Sequence, residues 1–307
     1  MDRSPVDQLR RRIASALGVA IPQLRVAAPT SPDFEAAAAA LRKADGRPFV
    51  VDGDARTAEL VAQRELELEL ELEDFEDELP PEVREQLAAH WAGIARAEHA
   101  SVASFARFTS QLMSVGAPPQ LVVESLAAAD DEVRHAEAAL ELAEAFAGRG
   151  LEFGPLDVDA AVAEACDLEQ LTLACVSEGC IGETLSTLEL ATIAARCSDL
   201  GLAELLQSIA DDEARHAALA WMFVRWALQR DPTLNQAVTA RFEALARAHV
   251  GAGAVHSAEP YPEILVEHGC LPADERERVI HEGVLELVLP CARALLDESA
   301  VGNERGC

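Results

Sequence analysis

The chain has 307 residues, half of them hydrophobic, and carries a formal net charge of −29 from 54 acidic and 25 basic side chains. A field of that sign repels phosphate backbones and anionic membrane surfaces unless a local basic patch overcomes it. The arginines are scattered and often sit beside Glu or Asp, so neither nucleic acid nor a membrane is expected as a partner. The start has no apolar run before a small-residue cleavage site, and no stretch approaches the ~18 uninterrupted apolar residues of a membrane span. Seven cysteines, with no CxxC among them, suit neither a zinc ribbon nor a disulfide scaffold. The expectation is a soluble cytoplasmic protein with reduced, mostly buried cysteines.

Residues 1–85 mix short helical patterns with GRPFVVDGDARTAEL, where PFVV followed by Asp52-Gly53 predicts a short strand and turn. In RELELELELEDFEDELPP the Glu-Leu alternation has a strand period while both residues favour helices, and a solvated acidic connector is expected. Pro80-Pro81 then opens a long helix whose apolar positions Leu87, Trp91, Ile94, Val102, Phe105, Phe108 and Leu112 recur at three- and four-residue steps up to Gly116. A second helix runs from about Pro119 to Ala147. After the long connection GLEFGPLDVDAAVAEACD come a third helix, from about Leu168 to Arg196, and a fourth, from about Leu202 to Gln229. The tail adds helices near Leu234–His249 and Pro272–Leu296.

Two helical hairpins joined by a longer connection are the layout of a four-helix bundle with one long crossover. The fold class expected is therefore all-α. Residues 86–230 form the bundle, 1–85 a mixed N-terminal region with an acidic linker, and 231–307 a C-terminal helical extension.

The hexamer DDEVRH, Asp130 to His135, returns as DDEARH, Asp211 to His216. A single Glu-x-x-His in an acidic helical chain is a weak signal, since such spacing arises by chance on solvated faces. Here each copy also has a lone Glu upstream, Glu98 before Glu132 by 34 residues and Glu178 before Glu213 by 35. Residues i and i+3 of a helix differ by ~60° and rise ~4.5 Å, so Glu132 and His135 can serve one site, as can Glu213 and His216. In an antiparallel hairpin the lone Glu returns to a similar height. Two packed hairpins then aim four carboxylates and two imidazoles at one axial point, a donor set that suits a pair of divalent ions better than one zinc.

Asp131 and Asp212 each precede a motif Glu and are turned ~100° from it. They are placed to take the second ring N–H of a ligand histidine across the pseudo-twofold axis, Asp131 for His216 and Asp212 for His135. Arg134 and Arg215 read as ion-pair partners on the helix flanks. On helix three Glu183 is also available, ~140° from Glu178 around a regular α-helix; repeat symmetry favours Glu178 and leaves Glu183 as an extra carboxylate or a polar-face residue. Cys175 and Cys180 flank Glu178 as small packing residues, and His99, rotated ~100° from Glu98, is expected to be exposed.

With these residues in view, 86–230 resembles the ferritin-like superfamily of carboxylate-bridged di-iron proteins, whose four successive helices carry Glu, ExxH, Glu and ExxH. The resemblance implies that Glu98, Glu132, His135, Glu178, Glu213 and His216 are ligands, with Glu132 and Glu213 bridging. It implies two iron ions, with manganese or a mixed pair as alternatives. The function expected is an oxidoreductase that activates O2 to oxidise or hydroxylate a small organic substrate. A ferroxidase or peroxide-scavenging protein is the alternative, and a metal-stabilised non-enzymatic scaffold a second one. A redox partner protein and a homodimer stay open. With Tyr261 as the one tyrosine, outside the bundle, a tyrosyl-radical role is marked down.

Overall fold

In a computed structural model the described residues are 4–20, 47–62, 79–159, 161, 166–250 and 260–304, without the side chains of 246–250 and 298–304. The acidic Glu-Leu segment lies outside them. Helix α1 spans Pro5–Leu17, a two-strand hairpin joins β1 (Val50–Val51) to β2 (Asp54–Ala55), and β3 is Leu60–Ala62. The bundle helices are α2 (Pro81–Ser114), α3 (Pro119–Ala147), α4 (168–194) and α5 (Leu200–Arg230), with β4 (Leu151–Phe153) in the connection after α3. After a 3₁₀ turn at Pro232–Leu234 come α6 (Asn235–Val250), α7 (Pro262–Glu267) and α8 (273–304). The protein is mostly helical, as expected, and among the described residues no helix is long and apolar enough to cross a membrane.

Local chemistry sets the helix ends. Pro81 and Pro119 each sit at the first helical position, where a missing N–H costs nothing and a fixed φ fits the helix. Asp167 caps α4 by accepting from the Gln170 N–H at 2.7 Å, and Asp199 caps α5 by accepting from the Leu202 N–H at 2.7 Å. Gly148, at φ 63°, closes α3 in the left-handed conformation. The expected strand and turn are the β1–β2 hairpin around Asp52-Gly53. The long connection contributes more than sequence suggested, because β4 pairs antiparallel with β3 from the N-terminal region.

Helix α2 packs along α3 and α4 along α5, and α3 meets α5 to join the hairpins. The buried stripe of α2, Val83, Leu87, Trp91 and Ala95, continues through Glu98 to Phe105, Phe108 and Leu112, so a carboxylate occupies a core position. The regions flanking the bundle share its main core. Leu9, Ile13 and Leu17 of α1 and Val284, Leu287 and Val288 of α8 lie in the same cluster as Phe105, Leu219 and Trp221. The Trp221 ring stacks on Phe242 of α6 at 5.6 Å, and its indole N–H donates to the Thr184 hydroxyl at 3.3 Å.

Helix α4 is not regular. Leu168–Cys175 and Thr184–Ala194 are α-helical, but Val176–Glu183 between them is a π-helix, which the sequence reading did not foresee. Gly179 in this segment backs onto α5 so closely that a Cβ there would stand 2.4 Å from the Ala220 Cβ. Gly179→Ala should therefore destabilise the fold by about 1–3 kcal/mol through overpacking. Gly93→Ala, in a helix interior with nothing within 4 Å of the added carbon, should be neutral or stabilise by about 0.5–1 kcal/mol. Urea unfolding midpoints of the two variants against the parent check both signs.

Candidate metal centre

Glu132 and His135 of α3 and Glu213 and His216 of α5 are buried together between the hairpins. Their ligand-capable atoms interleave. His135 Nδ1 lies 3.8 Å from Glu132 Oε2 and 3.4 Å from Glu213 Oε1. His216 Nδ1 lies 3.3 Å from Glu132 Oε1 and 3.5 Å from Glu213 Oε1. Each of these two carboxylates thus faces both imidazoles, which is the central position that bridging ligands would take. Glu98 of α2 joins Glu132, His135 and Glu213 in one group whose ligand atoms all lie within 4.8 Å of one another. Glu183 of α4 joins Glu132 and His216 in a second such group.

The lone carboxylate on α4 departs from the repeat. Glu178 is not brought to the cluster; its Oε2 lies 3.5 Å from Arg47 Nε, and Glu183, fully buried, stands at the cluster. The two carboxylates lie at successive heights along the π-helical stretch. In a regular α-helix residues five apart diverge by ~140°, whereas i→i+5 bonding stacks them one wide turn apart on one side. Glu183 then reaches the cluster while Glu178, a turn earlier, faces the N-terminal segment.

Both expected Asp–His contacts are present across the hairpin interface. His216 Nε2 stands 3.1 Å from Asp131 Oδ2 and His135 Nε2 stands 3.2 Å from Asp212 Oδ2. A carboxylate only accepts, so each Nε2 carries a proton, and in the neutral, metal-binding form of each ring Nδ1 would offer its lone pair to the cluster. Arg134 pairs with Asp131 and, at 3.4 Å, with Asp212, while Arg215 pairs with Asp131 at 2.9 Å and Asp212 at 2.7 Å. Burial alone would raise the Asp131 pKa, but the His216 hydrogen bond and the two guanidiniums outweigh it and hold the carboxylate below its usual range. The arginines thus lock the aspartates rather than touching the cluster.

These residues fit a metal. Glu98 Oε2, both carboxylate oxygens of Glu132, Glu183 and Glu213, and Nδ1 of both histidines are buried with no hydrogen-bond partner. So many orphaned acceptors in one buried space are costly without a cation. Two donors each ~2.1 Å from an ion and at right angles to it stand ~3 Å apart, close to the His–Glu separations here. Held by protons alone, the cluster is strained in the same sense: burial and the neighbouring carboxylates push Glu98 and Glu183 well above the usual carboxylate range. Against the opposing effect of burial, Glu132 and Glu213 push His135 up to about 10. The buried Glu/His cluster could therefore hold a metal ion.

Other expectations resolve differently. His99 is half-buried rather than exposed, its ring stacked on Phe153 of β4 at 4.3 Å. Cys175 and Cys180 are buried core residues, with burial pushing the Cys175 thiol up to about 12. Sequence reasoning missed Arg47, whose guanidinium lies 5.0 Å over the Phe105 ring, itself edge-on to His216 at 5.1 Å. Nothing local in GRPFVV marks that role.

Compared with family models, with curated proteins and with solved structures, the chain matches none.

The α4 carboxylates separate by substitution. Glu183→Ala should weaken metal affinity by at least about tenfold, and Asp131→Asn by about 10–100-fold through the loosened His216 ring. Glu178→Ala should change it less than about twofold. Competition against a chromogenic chelator measures all three, and equal losses for Glu178→Ala and Glu183→Ala would return the site to the symmetric set.

Proposed function

We propose that the protein is a ferritin-like di-iron oxidoreductase that uses O2 to oxidise a small organic substrate. One observation carries the reading: four buried carboxylates and two imidazoles converge with their acceptor atoms unpartnered, while both imidazoles are oriented from behind by aspartates. Two divalent ions balance the charge of four carboxylates with neutral imidazoles, and carboxylate-rich sites with two histidines favour iron or manganese. When bound, a ferrous pair supplies the electrons that reduce dioxygen.

The residues of the chain do the rest. Glu132 and Glu213, each facing both histidines, would hold the two ions at one spacing, and Glu98 and Glu183 would cap the pair at its two ends. Asp131 and Asp212 keep the imidazoles in the tautomer that offers Nδ1. Phe105, buried and edge-on to His216 at 5.1 Å, helps exclude bulk water from that histidine. The acidic field of the whole chain raises the local concentration of divalent cations. A cytoplasmic setting belongs to this proposal, because among the described residues Cys175, Cys180, Cys197 and Cys291 form no disulfide.

Anaerobic loading with Fe(II), desalting and elemental analysis should leave about two irons per chain in the parent and far fewer in Glu132→Ala. Admission of air should then consume O2 in the parent with formation of ferric absorbance, and in the variant should not. Retained iron inert to O2 would move the protein to the metal-stabilised scaffold. Turnover of Fe(II) itself, many irons oxidised per chain, would make it a ferroxidase.

A further inference from the structure

A cleft of about 270 Å³ opens between the β1–β2 hairpin, α2 and the first half of α4, outside the Glu/His cluster. The N-terminal segment that forms one wall is pinned to α2. Ser101 Oγ donates to the Arg47 carbonyl at 2.9 Å, Ser104 Oγ to the Pro48 carbonyl at 3.4 Å, and Arg107 to the Val50 carbonyl. Two arginines therefore enter the cleft in a chain that is otherwise strongly acidic.

Their circumstances differ. Arg47 is 2% exposed, ion-paired with Glu178, and lies over the Phe108 ring with its guanidinium carbon 4.0 Å from the centroid. Its charge is matched and its position fixed. Arg107 is half-buried, lies over the Phe49 ring at 5.0 Å, and gives one N–H to the Val50 carbonyl. Among the described residues no carboxylate forms an ion pair with it. Glu178 lends its field to Arg107 as well as to Arg47 but forms an ion pair only with Arg47, so two guanidiniums share one carboxylate and Arg107 offers the cleft the surplus charge and a planar fork of N–H donors. The acids in the lining are Glu178, engaged by Arg47, and Asp52, exposed on the hairpin turn where water screens it.

The remaining wall is part polar, part apolar. Gln111 and Gln170 supply amides, and the partly exposed Val50 and Ala174 an apolar floor. One surplus positive charge beside an apolar floor matches a monoanion with a hydrocarbon body better than a dianion. The cleft is also one side-chain layer from the cluster, since Glu178 is one π-turn from Glu183 and Phe105 bridges Arg47 to His216.

The geometry points to a binding site for a small organic monocarboxylate, its carboxylate on Arg107 and its hydrocarbon body against Val50 and Ala174. This names the substrate class of the di-iron reading and rests on it for the word substrate; the binding itself does not depend on the metal. Arg107 is then the specificity-determining residue, and Arg47 with Glu178 a fixed partition between carboxylate and cluster.

Calorimetric titration of the full chain with hexanoate, hexanamide and inorganic phosphate tests it, on metal-loaded oxygen-free protein and on metal-free protein. Hexanoate should bind at least tenfold more tightly than hexanamide or phosphate. Arg107→Gln should weaken hexanoate at least tenfold, Arg107→Lys should keep part of the affinity, and Gln111→Glu, which adds an acid to the wall without removing an arginine, should also weaken it at least tenfold. Metal content of these variants should equal that of the parent; Gln111→Glu should keep the parent's melting temperature, whereas the Arg107 variants, which also lose the contact to the Val50 carbonyl, should melt lower. Absence of hexanoate binding, tighter binding of phosphate, or binding indifferent to both Arg107→Gln and Gln111→Glu would overturn the inference. Retained metal with no carboxylate binding sinks this inference alone, whereas Arg107-dependent hexanoate binding by a chain that retains no metal upholds the site and sinks the di-iron reading.

Discussion

Four carboxylates, Glu98, Glu132, Glu183 and Glu213, share one buried space between two helical hairpins, and the compensation of their charge is the constraint on which the rest depends. Taking a single carboxylate out of water costs several kcal/mol even after relaxation, by the order of magnitude general to proteins. Four together hold only if cations or protons stand among them. The imidazoles cannot serve as ordinary hydrogen-bond donors to all of these oxygens, because each Nε2–H is already committed to an aspartate and each ring has one Nδ1 left. The arrangement spends its hydrogen-bonding capacity on orienting the histidines and leaves the inner face bare, which is the preparation a metal requires and a plain structural core does not.

The surrounding structure serves that preparation at three distances. Nearest, Asp131 and Asp212 cross between the hairpins to the histidines, and Arg134 and Arg215 tie the two aspartates into one charged network that fastens α3 to α5. Next, the π-helical stretch of α4 lets a glycine close on Ala220 while turning Glu183 inward. Farther out, α1 and α8 extend the core around α5, so residues that composition separates from the bundle help hold its helices in place. The N-terminal hairpin is the exception, docked near the cluster by serine and arginine contacts to backbone carbonyls rather than by a large apolar face.

Charge is distributed with the same logic. A chain of net charge −29 places Arg134 and Arg215 behind the histidines and Arg47 and Arg107 beside Glu178. Those around the aspartates are internally matched and structural. Arg107 shares Glu178 with Arg47 and forms no ion pair of its own among the described residues, which leaves the cleft one surplus positive charge for an external anion.

The chain itself determined the two Glu-x-x-His pairs, the lone Glu98 and the crossed aspartates, because helix geometry carries i, i+3 and i−1 relations from sequence into space without reference to the fold. The proline starts of α2 and α3 and the separation of the hairpins were legible for the same reason, each being local. Whether Glu178 or Glu183 reaches the cluster was not legible. That choice depends on how the π-helical stretch of α4 packs, where Gly179 closes on Ala220 of another helix some forty residues away in the chain. The placing of Arg47, of the stacked His99, and of the β3–β4 pairing likewise required the tertiary structure, since each brings together segments whose mutual positions no periodicity records. Local spacing settled which residues share a helix face; only packing decided which faces meet.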